Sequence, residues 1–505
     1  MLLKVFIVMR LCYKIQKGAN MSVIKKLQSI SEVKTIIKDH STNTTEIILE
    51  SFQNFLACKK VQQFGKIKKK GYPAISILKI LLLLGISGYK SIRSFMLCGY
   101  NNENDIGKDA FYRLKNNENI NWRKLLYSFV KRYKYLVSKN IEQNKEKSQT
   151  PTCIIADDTV LQKRGRKIEN IGKVYDHTIY KSILGFKDLV IGYWDGTTFN
   201  PVDFSRHCEK GKNKKYGMKK RHLKERFSKK RNTNSCGFKR IKERNISKMI
   251  MLIEHLKRAV KNGFKADYVL FDKWFVSEKI IKAIRKLNKG KMHLIAACKM
   301  DRRKYIYKRK EYTARELLRK FNKKYRKRCR SLNYHYIQIN VIYKGEKLTL
   351  FFNRAFKTSN WELLITTDRA LNFKKAMETY FLRWSIEVFF KEAKQYLNYG
   401  KSQSQDYNGQ IADATLTMIQ YIILLYVKRV NYYETLGELF RNVKKSIAEY
   451  NLAEKLFSIL TKVLEEIAEL FELSSYKIIG KIINNEKFKN SIFHLIYYNS
   501  ESIKS

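Results

Sequence analysis

Apolar residues recur every three or four positions through the first 150 residues, the spacing of helices with one buried face. SVIKKLQSISEVKTIIKDH (Ser22–His40) and PAISILKILLLLGISGYKSIRSFMLCGY (Pro73–Tyr100) carry this pattern. Within the second, ILKILLLLGI (Ile77–Ile86) is apolar almost all round, as a buried helix is. A polar turn, Asn101–Asp105, then separates a helix from a short one, Lys108–Lys115. That is a helix–turn–helix rhythm, with Arg113 and Lys115 on the second helix available to phosphates or bases. The polar stretch Lys139–Thr152, which contains Pro151, predicts a linker.

Beyond it the period changes. TCIIADDTV (Thr152–Val160) is a short apolar run that ends in paired carboxylates. Gly185–Gly196 and Thr197–His207 read as strands joined at Asp195-Gly196, a hairpin signal. After the basic stretch Lys210–Lys248 come a helix ending near Gly263, a strand ending at Asp272 (ADYVLFDKWF), a helix (SEKIIKAIRKLNKG) and a strand (MHLIAACK). This order of elements predicts an α/β core with a mixed sheet. Between residues 300 and 368, YHYIQINVIY, EKLTLFFNRAF and WELLITTD alternate like antiparallel strands, and the rest is helical.

Charge adds a partner to this outline. Lys and Arg number 103 against 45 Asp and Glu, a formal net charge of +58 over 505 residues. Such an excess repels itself unless a polyanion neutralises it, and nucleic acid is the obvious one. Lys219, Lys220 and Arg221 lie in KNKKYGMKKRHLKERFSKKRN, which has too few apolar residues for a strand and reads as a phosphate-tracking loop that orders on DNA. No apolar run approaches the roughly 18 residues that span a bilayer, and MLLKVFIVMRLCY makes a poor signal peptide, so no membrane role is expected. The eight cysteines are scattered, which suits free thiols in a reducing cytoplasm. His207, Cys208, His222 and Cys236 fall in one region, but their spacing matches no standard zinc pattern.

The chemistry concentrates in YFLRWSIEVFFKEAKQYL, Tyr380–Leu397. Read as one helix, it puts Tyr380, Arg383, Glu387 and Lys394, with Lys391, on one face, while Phe381, Trp384, Ile386, Val388, Phe389 and Phe390 pack the remainder. An ion pair between Arg383 and Glu387 would explain the charges structurally. A polar stripe on a mostly buried helix more often faces a cleft. Partners for Glu387 are Asp157 or Asp158, at the end of the first strand, and Asp272, because ligands gather at strand C-termini in α/β sheets. Three carboxylates supply hard oxygens for two Mg2+ ions, with Mn2+ as a substitute, and Arg383, Lys394 and Tyr380 could hold phosphates beside them. Strand alternation allows only one of Asp157 and Asp158 on the site's face. Asp176, Asp188, Asp195 and Asp203 read as turn or surface carboxylates.

The spacing Y-x2-R-x3-E-x6-K, from Tyr380 through Arg383 and Glu387 to Lys394, resembles the YREK signature of bacterial insertion-sequence transposases of the DDE class, insertion-sequence-four type. IIADDT resembles that family's first-Asp motif and VLFDKWF its second. DAFYRLKNNENINWRKLL is similar to a segment of its amino-terminal parts, so the resemblance runs from about Ser91 to about Gln405. It implies a ribonuclease-H-like α/β core, residues 151–299 and 369–480, with a β-strand insertion at 300–368. A helical DNA-binding region at 1–150 and a tail at 481–505 complete the division. Relatives often show Asp, any residue, then Ser or Thr, which selects Asp157 ahead of Thr159. Asp157, Asp272 and Glu387 are then the catalytic and metal-binding set, with Tyr380, Arg383, Lys394, Arg113, Lys115, Lys219, Lys220 and Arg221 on DNA. The implied reaction nicks the 3′ ends of a mobile element and joins them to target DNA, by a homodimer bridging both terminal inverted repeats, in the bacterial cytoplasm. Some relatives stack a flipped base on aromatic rings; Trp274 and Trp361 are candidates, although each singly reads as a core residue. The rival readings are a catalytically inactive DNA-binding regulator and a structure-specific nuclease on the same core.

Overall fold

The computed structural model describes residues 43–67, 70–86, 91–96, 106–140, 150–211, 215–322, 325–430 and 433–442. The expected helix Ser22–His40, the turn Asn101–Asp105, most of the linker, the N-terminal segment and the tail 481–505 lie outside them. The chain divides into two compact units, Met1–Asn54 with Ile86–Ile106 and Val427–Ser505, and Phe55–Gly85 with Gly107–Tyr426. The described part of the first is short helical pieces, including Ile92–Met96. Everything below concerns the second.

Its frame is a single mixed sheet of twelve strands. The longest early strand, β3 (Lys181–Trp194), pairs antiparallel with β1 (Cys153–Gln162), with β2 (Gly172–Asp176) along its first half and with β4 (Phe199–His207) along its second. On its other side β1 runs parallel to β5 (Tyr268–Phe271), which runs parallel to β6 (His293–Cys298). The sheet then continues without a break. Its remaining members are β7 (Lys304–Tyr307), β8 (Lys310–Thr313), β9 (Lys327–Cys329), β10 (Tyr334–Tyr343), β11 (Glu346–Ala355) and β12 (Glu362–Thr366). β12 adds antiparallel to β6, β11 to β12 and β10 to β11, while β7 and β9 both pair with β10.

Local chemistry accounts for these elements. β1 begins CIIA, fully buried, because helices lie against both faces of the central strands. The helix Lys248–Lys261 packs on β3 and β4, and the helix Trp384–Tyr396 packs on β1 and β4. Asp195 closes the β3–β4 hairpin by accepting from the Thr197 and Thr198 amides, and Gly196 takes the positive φ the turn requires. Ser247 and Ser277 cap the helices Lys248–Lys261 and Glu278–Lys286 through their hydroxyls. The predicted hairpin and the strands and helices predicted between Lys248 and Asp368 are present, while most of the helical region predicted after residue 430 lies outside the described residues. β2, β7, β8, β9 and the helix Ala314–Phe321, closed by a Thr313/Glu316 capping box, lack a sequence signal strong enough to predict them. Contrary to the expectation that no apolar run approaches a membrane span, one helix among the described residues, Tyr407–Val430, is apolar and long enough to cross one, and 94% of its apolar window is buried inside the protein.

The largest surprise is how much charge the unit buries. Asp188 and Asp203 are not surface carboxylates: both are almost wholly inaccessible. Asp188 takes both prongs of Arg206 at 2.7 Å and the Tyr399 hydroxyl at 2.9 Å. Asp203 is bonded by Arg123 at 2.7 Å and Arg258 at 2.9 Å, and these guanidiniums hold its carboxyl well below the usual range against the cost of burial. The basic stretch is likewise not one phosphate-tracking loop throughout. Arg226, Arg231, Arg240 and Arg244 turn inward, Arg231 making two 2.6 Å bonds to Glu169 and a third, at 2.8 Å, to Asp406. Lys219, Lys220 and Arg221 stay exposed at the start of the short helix Lys220–Lys224.

Candidate active site

The opening helix is two. Phe373–Phe381 and Trp384–Tyr396 meet at Leu382–Arg383, where the amides of Leu382, Arg383, Ser385 and Ile386 all bond three residues back. This tight turn winds the chain more closely without ending the helical path. It is also less enclosed than the sequence implied. Phe381, Trp384 and Val388 are exposed, leaving the buried contacts to Ile386, Phe389, Phe390 and Ala393.

The polar stripe nonetheless meets the sheet where expected. Arg383 Nη2 lies 2.7 Å from Glu387 Oε1, and Arg383 Nη1 lies 3.3 Å from Asp157 Oδ2. One guanidinium thus joins two carboxylates 230 positions apart in sequence (387 − 157), held in place by the packing of the Glu387 helix on β1. Two residues further along β1, on the same face, Thr159 Oγ1 accepts from Lys394 Nζ at 2.7 Å. Thr159 was singled out only as a neighbour of Asp157; its bond to Lys394 was legible in strand and helix periodicity together.

Asp272 enters by register. Ala156 pairs with Phe271 across the parallel β1–β5 ladder, so Asp157 and Asp272 follow as neighbours where β5 ends; Asp157 and Asp158 do not end the first strand as expected but lie midway along β1, which continues to Gln162 on β3. Burial pushes the Asp157 carboxyl up to about 7, with the Asp158 and Asp272 charges adding to the rise and the Arg383 guanidinium and the Asp158 amide opposing it. Burial likewise raises the Tyr380 phenol to about 12, with Arg383 opposing and Asp272 contributing, which puts Tyr380 in the same field. The Arg383 guanidinium sits 5.8 Å from the Tyr380 ring centre. Lys394 is lowered by burial.

Asp158 points elsewhere. It forms an ion pair with Lys248, at the start of the helix on the opposite face of β3 and β4. The alternation of β1 therefore separates the two neighbours, leaving Asp157 with Arg383.

Other predicted contacts fare differently. Arg113 is exposed on the helix Lys108–Lys115, which has the predicted bounds. Lys115 is not free for DNA: it is buried and paired with Asp413 at 2.9 Å, because the last turn of its helix faces inward. Trp274 is not a core residue. It is 59% exposed, with the Lys299 ammonium 3.7 Å from its ring centre and the His177 ring 5.7 Å away. Trp361 is half-buried under the Arg354 guanidinium.

As a metal centre, the donors suit Mg2+ by chemistry: three carboxylates and no soft ligand. A positive charge already fits between Asp157 and Glu387, that of Arg383. Among the described residues no three His, Cys, Asp or Glu groups converge closely enough to hold a metal. His207, Cys208, His222 and Cys236 form no such group either.

No protein-family model matches the chain, and no curated protein matches its sequence.

Proposed function

We propose that the protein is a DDE transposase of the insertion-sequence-four type, which nicks DNA at the ends of a mobile element and joins those ends to target DNA. The observation that carries this reading is the Arg383 bridge, which gathers Glu387 and Asp157 from distant segments where β5 ends, beside Asp272. The strand order β4-β3-β1-β5-β6 supports it too. The pairs β4–β3 and β3–β1 are antiparallel and β1–β5 and β5–β6 parallel, as in a ribonuclease-H-like core, and β7–β12 supply the strand-rich insertion.

Asp157, Asp272 and Glu387 would hold two Mg2+ ions. Bound there, the ions supply activation of the attacking oxygen and neutralisation of phosphate charge. The chain's own residues orient the DNA. Arg383 exchanges its carboxylates for a phosphate beside the scissile bond, the kind of planar, two-pronged contact guanidinium makes best. Tyr380 donates its hydroxyl to a phosphate and remains protonated, its phenol being raised to about 12. Lys394 lends positive charge from two turns beyond Glu387. Exposed Lys219, Lys220, Arg221 and Arg113 bind phosphates away from the reaction, and a homodimer brackets two inverted repeats in the bacterial cytoplasm.

A regulator without chemistry would need no such gathering of acids. A structure-specific nuclease would share it and is distinguished by product. The test incubates wild type and Glu387→Gln with a labelled duplex bearing one inverted repeat from the flanking DNA. Wild type should nick at the 3′ end of the repeat only with Mg2+ or Mn2+, and Glu387→Gln should bind without nicking. Binding by both with nicking by neither would discard the catalytic reading.

A further inference from the structure

The tip of the hairpin between β2 and β3 carries side chains that the fold does not use. Ile179 is 50% and Tyr180 79% exposed, and Tyr180 and Lys181 have no hydrogen-bond, ion-pair or ring partner among the described residues. Tyr180 also holds a φ of 52°, the left-handed region that suits glycine or asparagine and strains a bulky residue. A turn with no other task would close better with glycine there.

Register places this hairpin on the face of the candidate site. Val190 of β3 pairs with Asp157, and Ser182, an even number of residues earlier on the same strand, pairs with Tyr175. Side chains alternate, so Tyr175 and, two residues on, His177 fall on the face of Asp157. The contacts agree. The His177 ring is 4.9 Å from that of Tyr175 and 5.7 Å from that of Trp274, two residues past Asp272. Asp176 accepts from the Thr178 hydroxyl and amide at 2.6 and 2.9 Å, and these bonds, with the Lys394 and Lys187 charges, hold its carboxyl below the ordinary value. The tip thus touches Trp274 and lies in the field of Lys394, which bonds Thr159 beside Asp157.

The surroundings select the occupant. Lys173 of β2 donates its amide to the Tyr216 carbonyl, so the segment that leads into Lys219, Lys220 and Arg221 runs beside the hairpin. Lys173 and Lys181 are themselves exposed, and the Lys299 ammonium covers Trp274. Apolar side chains set in a positive surface suit duplex DNA, where cations hold the phosphates and an apolar wedge enters between bases.

We infer that the β2–β3 hairpin is a clamp on duplex DNA, with Ile179 and Tyr180 packed against the bases while the backbone lies along Arg383. The inference rests on the transposase reading for the identity of that duplex.

The test measures binding of the inverted-repeat duplex without Mg2+, by anisotropy across a salt series, for wild type, Tyr180→Gly, Tyr180→Phe and Lys181→Gln. Tyr180→Gly should bind about tenfold more weakly with an unchanged salt slope, because it loses a ring and no charge. It should melt no lower than wild type, because glycine relieves the positive φ. Tyr180→Phe keeps the ring and should bind within about twofold of wild type. Lys181→Gln should lower the salt slope by about 0.9, one phosphate contact. Unchanged binding by Tyr180→Gly, or an equal loss for Tyr180→Phe, overturns the clamp. So does a change in the sedimentation of DNA-free Tyr180→Gly, which would make the tip a contact between copies of this chain. Nicking with Mg2+ is scored separately. A wild type that nicks while Tyr180→Gly binds as tightly sinks the clamp alone, and one that binds through Tyr180 without nicking sinks the transposase reading alone.

Discussion

His255 is wholly buried on the helix Lys248–Lys261, and among the described residues neither ring nitrogen has a hydrogen-bond partner. Burial, with Arg258 and Arg123 nearby and only partly countered by Asp203 and Glu243, lowers its imidazole to about 3. Unfolded, the ring takes its proton near pH 6.5. Between those values the unfolded chain binds the extra proton, so stability is full above about 6.5 and falls as pH drops towards 3, by at most about 1.4 kcal/mol per unit. Chemical denaturation should therefore show wild type losing up to about 3 kcal/mol more than His255→Leu between pH 6.5 and 4.5. Parallel losses in the two proteins would mean that the imidazole is charged in the fold.

At the scale of elements, the fit between helices Ala74–Ile86 and Tyr407–Val430 turns on one absent side chain. Gln420 Nε2 donates to the carbonyls of Leu81 and Leu82 at 3.1 and 3.0 Å, filling the space where a Cβ on Gly85 would lie 2.2 Å from that nitrogen. Gly85→Ala should cost about 1–3 kcal/mol by displacing the amide. Added to Gln420→Ala, the same substitution should cost almost nothing, because the clash has gone, and additive losses in this cycle would contradict the packing described. Ala74–Ile86 was legible in the sequence because it is strongly apolar, whereas Tyr407–Val430 was read only as part of a helical region. The strands that fix the site were legible for a related reason: CIIA and YVLF are continuous apolar runs, as buried parallel strands are. What escaped notice was short or locally ambiguous, such as the four-residue strands β7 and β8, or the break at Leu382–Arg383, where helical dihedrals persist and only the hydrogen bonding changes. The site's face was readable from Tyr380–Lys394 alone. The fate of Lys115 and the depth of Asp188 and Asp203 were not, because a charged residue's partner far along the chain leaves no local trace.

The whole unit is closed by a small segment. Lys163 donates to the carbonyls of Gly400 and Ser402, Arg206 to Gln410, Arg231 to Asp406 and Lys115 to Asp413. Four cations from the first half of the chain thus find partners within residues 400–413. Removing one partner of a buried pair costs far more than removing an exposed one. Asp406→Ala, which takes one buried carboxylate from Arg231 and leaves it Glu169, should lower unfolding free energy by about 1.5–3 kcal/mol. Lys229→Ala, which takes a half-exposed group from the same carboxylate, should cost less than about 1 kcal/mol. Near-equal losses would show the burial to be energetically unimportant.

That closure has a direction in time. A ribosome makes the chain from its amino end, so all twelve strands and Glu387 emerge before residues 400–413 do. Until then Lys163 and Lys115 lack these partners, while Arg206 and Arg231 have only the carboxylates of Asp188 and Glu169. The contacts that tie the unit's first half to residues 400–413 therefore form last. A polypeptide cut short before Asp406 has every residue of the candidate site but lacks the segment that ties down the first half of the chain.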